Sequence, residues 1–171
     1  MSNNIYDTSQ PLTYSFDYQA DESKRIHKNL SGKSSLNEAD IWQIALWKYN
    51  RVINISPDVL NRLEEIKTDH SLTIESEYVQ DTIKKLIKCK GISYPLASTI
   101  LKFLRPDEFP IIDVRAYRAI YGKKIYYSSY SLKKYISYVN EVKKISKQKG
   151  LPLHEVDQQL YMYDKEENGK I

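Results

Sequence analysis

A single cysteine, Cys89, stands in the 171 residues. A lone thiol excludes an internal disulfide framework, a cysteine-based zinc site and a cysteine-ligated iron–sulfur cluster. Glycine (five) and proline (six) are scarce, and few alternating strand-like runs occur. That leaves little turn chemistry for a strand-rich fold. No apolar run approaches the ~20 residues a membrane-spanning helix needs. The histidines, His27, His70 and His154, are isolated and form no ligand spacing. There is no Walker-type phosphate loop, no Gly-x-Ser-x-Gly and no cluster of metal carboxylates, so no metal site is expected. Residues 1–21 are polar and mildly acidic, without the basic and then apolar segments of a secretory signal. These absences lead to the expectation of a cytoplasmic protein with no membrane partner.

Hydrophobic residues (41%) and aromatics (12%) suffice for a core, and the length suits one domain. The formal net charge of +4 conceals a separation. Residues 82–150 hold sixteen of the 26 basic side chains and four of the 22 acidic ones. That segment carries +12 and the remainder −8. One strongly basic region fits a polyanionic partner, because each neutralised phosphate releases condensed counterions. It fits equally a set of solvated lysine-rich helices.

Helical signals dominate. Ser35-Leu36-Asn37-Glu38 has the form of a capping box, opening a helix to about residue 50. Ser56-Pro57 is an N-cap followed by proline at the first helical position. Apolar spacing predicts further helices over residues 75–88, 94–104, 114–121, 131–149 and 152–163. Gly91 and Gly122 end two of them. The expected architecture is all-α, with about seven helices. Residues 1–34 are expected to be an N-terminal extension, extended or partly disordered. Residues 35–171 are expected to form a single helical domain with a helical hairpin at 83–104.

Within that hairpin, Gly91-Ile92-Ser93 forms a tight turn before Tyr94-Pro95. Gly91 permits positive φ, and Ile92 is placed to point back into the core. The small Ala97 allows close helix approach. The N-terminus of the following helix offers unpaired N–H groups and a positive dipole end, which suit one phosphate. Lys88 and Lys90 flank the turn, and the backbone as far as Ser98 completes the clamp. An ordinary helical corner with a glycine C-cap has the same local pattern.

Twenty-two residues after Gly91 comes Phe109-Pro110-Ile111-Ile112-Asp113-Val114-Arg115-Ala116-Tyr117-Arg118. Together with the Gly91 turn, this stretch resembles the helix-hairpin-helix DNA glycosylase superfamily. There a Gly-hydrophobic-Gly turn grips the DNA backbone, and a catalytic aspartate follows about twenty residues later at the head of the next helix. This chain has Ser93 at the second glycine. The resemblance is carried by residues 90–122. It implies a helical glycosylase-like fold, with Asp113 as the catalytic carboxylate and double-stranded DNA as the partner. Lys88, Lys90, Gly91, Ile92, Ser93, Tyr94, Ser98, Arg115 and Arg118 become the expected DNA contacts. Family members that also nick DNA carry a nucleophilic lysine at the start of the hairpin's second helix; aligning the turns puts Pro95 there. The resemblance thus implies a monofunctional, monomeric enzyme that uses water and leaves an abasic site. It implies no cofactor beyond a monovalent cation at the hairpin turn when DNA is bound.

Cleavage of an N-glycosidic bond builds positive charge on the sugar, and a nearby carboxylate stabilises it. Without the hairpin at that spacing, Asp113 reads as a simple helix cap. An extruded base needs aromatic or apolar walls. The expected pocket residues are Trp42, Trp47, Lys48 and Arg51, with Tyr117. For the tryptophans, core packing is the competing reading. Asp157, Tyr161 and Tyr163 on the last helix form another wall or another piece of core. Tyr126, Tyr127 and Tyr130 beside Lys123 and Lys124 read as a DNA-touching group or as a solvated loop. The competing function is a non-catalytic helix-hairpin-helix DNA-binding module. For an enzyme, the settings are base-excision repair or defence against phage DNA carrying a modified cytosine such as a glucosylated hydroxymethyl form.

Overall fold

The computed structural model describes residues 20–50 and 52–171. The chain divides into two compact units, Met1–Val52 and Ile53–Ile171, whereas the sequence placed the boundary at 34/35. Every regular element among the described residues is helical, so the molecule is all-α there, with eight α-helices and one 3₁₀ turn.

The first unit holds α1 (Ala20–Ser31) packed along α2 (Glu38–Lys48). Helix α1 replaces the extended chain expected over part of residues 1–34; residues 1–19 lie outside the described residues. Its apolar signal is only Ile26 and Leu30, one turn apart and half-buried. Asp21 and Glu22 in the first turn and Lys28 in the last complement the helix dipole. Helix α2 does open on a capping box, but two residues later than expected. Asn37 Oδ1 accepts from Asp40 N (3.2 Å) and Asp40 Oδ2 accepts from Asn37 N (2.9 Å). Asp40 is buried and also takes the Lys33 ammonium, which holds its carboxyl below the usual range.

The second unit runs α3 (Pro57–Thr68), α4 (Glu77–Leu86), α5 (Tyr94–Leu104), α6 (Val114–Tyr121), the 3₁₀ turn Tyr127–Ser129, α7 (Leu132–Lys149) and α8 (Leu153–Glu167). Ser56, Asp113 and Gly122 cap as the sequence indicated, and Ser131 and Gly150 cap α7. Ser56 Oγ accepts from Val59 N, Asp113 caps α6, Ser131 Oγ accepts from Lys134 N, and Gly122 and Gly150 close α6 and α7 in the left-handed region. The core draws Leu63 and Ile66 from α3, Ile83 and Leu86 from α4, Leu101 from α5, and Tyr135, Tyr138 and Val142 from α7.

Buried charges join the elements. Arg105 is 3% exposed and donates to the carbonyls of Ile66 and Asp69, satisfying the C-terminal end of α3. Glu108 accepts from Ile74 N (2.7 Å) and Lys143 Nζ (2.6 Å). On α8 the fully buried Asp164 accepts from Arg115 (3.2 Å) and from Arg118 through Nε (2.7 Å) and Nη2 (2.8 Å). This pins α8 to α6. Removing a buried acceptor strands its cations, whereas an exposed pair contributes little. Asp164→Ala should therefore lower the urea midpoint severalfold more than Asp58→Ala, which breaks the exposed Lys85 pair.

Candidate active site

Helix α4 ends at Leu86, two residues short of the expected end, and the chain reverses before α5. Gly91 has φ +81°, where a Cβ is strained. Ile92 is buried and its N–H bonds Cys89 O (3.2 Å), so the turn is anchored from inside. Ser93 is the N-cap of α5 with no side-chain capping bond. Lys88, Lys90 and Gly91 are exposed, and Tyr94 is half-buried. Tyr127 and Tyr130 face the turn across a cavity of about 200 Å³ that Ile92, Ser93 and Tyr94 also line. The tyrosine-rich segment flagged in the sequence therefore lies beside the hairpin.

Ser98 was expected among the DNA contacts, but it is fully buried. It sits on the inner face of α5, one turn after Ser93. Its Oγ donates to Pro95 O (2.8 Å) and accepts from Ile112 N (3.1 Å). The hydroxyl thus ties the hairpin's second helix to the residue before Asp113.

The segment Phe109–Asp113 is not helical, so its backbone groups need outside partners. Phe109 N bonds Arg105 O (3.0 Å). Pro110 O accepts from Tyr135 OH (3.2 Å), and Ile111 N donates to Asp157 Oδ2 (3.1 Å). With the Ser98 bond, α5, α7 and α8 all hold this one strap. At its end, Asp113 Oδ1 accepts from Arg115 N (2.6 Å) and Ala116 N (2.9 Å). Both capping bonds use the same oxygen, and no described residue donates to Oδ2. The carboxyl lines a cavity of about 500 Å³ together with Lys102, Ile111, Asp157, Gln158, Tyr161 and Met162. That volume lies in the range of small-molecule sites.

Burial raises the Asp113 pKa, opposed by its two backbone hydrogen bonds and reinforced by the charge of Asp164. The same cause, burial, raises Asp157 to about 6, with Asp113 adding to the effect and Ile111 N and Lys102 opposing it. Tyr130 is pushed up to about 12 by burial and by the charge of Asp113. The cavity is thus lined by two carboxyls, both disfavoured in their charged form by burial, and one ammonium.

Arg115, Arg118 and Tyr117 are placed otherwise than expected. Arg115 and Arg118 turn their guanidiniums to Asp164 and to the carbonyls of Gly169 and Lys170. Their phosphate-binding donors are committed to holding α8. Tyr117 is 7% exposed in the core, its ring 4.4 Å from Tyr121 and 6.4 Å from Tyr138. It lies on the inner face of α6, not on the cavity. Trp42, Trp47 and Lys48 lie on α2 of the first unit, with Trp42 58% exposed. Arg51 lies outside the described residues. The aromatic ring that does line the Asp113 cavity is Tyr161, with the Arg115 guanidinium 5.8 Å from its centroid. No family model, curated protein or solved structure matches the chain.

Two measurements check this geometry. Ser98→Ala leaves the Ile112 N–H buried without its acceptor, so it should cost about 1–3 kcal/mol in urea unfolding. Asp157 binds its proton more tightly folded than unfolded. Its contribution to stability is therefore full at low pH and lost as pH rises through about 6. Compared with Asp157→Asn, the wild type should lose up to about 3 kcal/mol of relative stability between about pH 4 and pH 7.

Proposed function

We propose that this chain is a monofunctional DNA glycosylase. It hydrolyses the N-glycosidic bond of a damaged or modified base in double-stranded DNA and leaves an abasic site. The observation that carries the reading is Asp113. Its carboxyl is held through one oxygen at the head of α6, and the residue lines a cavity. It stands at the family's distance from a glycine turn in the left-handed region.

The chemistry runs from that geometry. As the bond from the sugar to the base lengthens, positive charge grows on the sugar. A fixed, partly buried carboxylate stabilises that charge more strongly than one in water. The two backbone N–H groups fix the Asp113 side chain, so no reorganisation is needed when the charge appears. Water supplies the new bond to the sugar and passes its proton to the carboxylate. Tyr161 offers a stacking surface for an extruded base. The turn at Gly91–Ser93, with Lys88 and Lys90, holds a phosphate through backbone amides and charge, without reading sequence. A monovalent cation at this turn belongs to the same reading, as do a monomeric state and a cytoplasmic setting. Base-excision repair and defence against phage DNA with bulky modified cytosines are both compatible with such a pocket.

The second reading is a non-catalytic helix-hairpin-helix module. It is favoured by the double cap at Asp113, since a cap alone explains the position of an aspartate before α6. Mass spectrometry of bases released from a panel of damaged and phage-modified duplexes separates the two. The glycosylase releases a free base, and Asp113→Asn lowers the rate by on the order of 10³-fold while duplex affinity persists. Salt-dependent duplex binding with no base released from any member of the panel supports the module.

A further inference from the structure

We propose that Asp157 is a second catalytic carboxylate of the Asp113 cavity, the group that hands a proton to the departing base. This rests on the glycosylase reading and adds to it the source of the proton.

Asp157 is 5% exposed, yet it lines the same cavity as Asp113. It sits on the inner stripe of α8, between Leu153 and Leu160, where an apolar side chain would serve the fold. A buried carboxyl is costly unless it is paired or protonated. Asp157 is only partly compensated. Ile111 N donates to Oδ2 at 3.1 Å and Tyr138 OH reaches Oδ1 at 3.4 Å. By contrast, Arg115 and Arg118 both bind Asp164, about two helical turns further along.

The charged and titratable groups around Asp157 come from every neighbouring element. Lys102 faces it from α5, Asp113 from the head of α6, and Tyr135 and Tyr138 from α7. Lys102 favours its ionised form, while burial and Asp113 oppose it. Two carboxyls that line one cavity and are both raised by burial do not both ionise freely, and the proton settles on the less stabilised one. Asp113 has two backbone N–H donors and the positive end of α6; Asp157 has one backbone donor. Asp157 is therefore the natural holder of the proton and Asp113 of the charge.

The step balances. The electron pair of the N-glycosidic bond goes onto the base, and the Asp157 proton goes to an acceptor atom of that base. The oxygen of water bonds the sugar, and its proton passes to Asp113. Transfer of that proton from Asp113 to Asp157, directly or through solvent, restores the starting state. No oxidant, reductant or metal is involved.

The test has two arms, both on the full chain. In single-turnover base release, the wild-type rate should fall as pH rises through about 6, as Asp157 gives up its proton. Asp157→Asn keeps an acceptor for Ile111 N but cannot titrate. It should lose this limb and release base about a hundredfold more slowly at the acidic end. In the second arm, ¹³C carboxyl NMR of the DNA-free protein follows Asp157 itself. Its midpoint should lie near 6 and move down in Asp113→Asn, where the neighbouring charge is gone. This arm holds even if Asp157→Asn fails to fold. Base release with the same pH limb in Asp157→Asn overturns the proposal alone. So does an Asp157 midpoint in the ordinary carboxylate range that Asp113→Asn leaves unmoved. No base release by wild type at any pH overturns the glycosylase reading, and the proton-donor role with it.

Discussion

The second unit is organised around five residues that are not helical. Phe109–Asp113 crosses the interior as extended chain, and each buried N–H or C=O on it needs a partner. The main chain at Arg105, the Ser98 hydroxyl, the Asp157 carboxylate and the Tyr135 phenol provide them. Three separate helices thus converge on one strap. The constraint is reciprocal. The strap orients α5, α7 and α8, and they fix the point at which Asp113 starts α6. A side chain at the end of such a strap inherits the rigidity of the core, which the proposed electrostatic role of Asp113 requires.

The carboxylates of this unit sort by their partners. Asp164 is deep but meets two guanidiniums, which keep it ionised and make it the joint between α6 and α8. Asp113 and Asp157 have fewer donors, and burial raises both. One joins elements; the others line a cavity. The +12 segment thus serves two ends. Arg105, Arg115, Arg118 and Lys143 are spent on internal ties. Lys88, Lys123, Lys124 and Lys133 remain exposed. Charge counted along a chain does not separate these, because it ignores which face of a helix each residue occupies.

Much of the helical layout was legible, and for local reasons. Caps and glycine stops are written in adjacent residues, so Ser56, Asp113 and Gly122 mark their helix ends correctly. The last helix runs on to Glu167, past the expected stop near residue 163, and so the role of Asp164 was hidden. Its signal was present nonetheless. Leu153, Val156, Asp157, Leu160 and Asp164 form one helical stripe, and a carboxylate on an apolar stripe marks a buried charge with work to do. Ser98 and Tyr117 illustrate the opposite failing. Ser98 was expected at the DNA and Tyr117 in the base pocket, while their spacing with Leu101 and with Ala116 and Ile120 put them inside. Helix α1 was missed because two apolar residues are too few to establish a period.

The central claim is that Asp113 stabilises positive charge on a DNA sugar, and it can be tested without knowing the base. Duplexes are prepared in which one nucleotide is replaced by a cationic pyrrolidine or by a neutral tetrahydrofuran of the same shape. A site complementary to the charged transition state binds the cation more tightly than its neutral twin. The account predicts that wild type prefers the pyrrolidine duplex by about a hundredfold or more, and that Asp113→Asn removes the preference while keeping the tetrahydrofuran affinity. Equal affinity for the two duplexes in wild type, or a preference that survives Asp113→Asn, would contradict it.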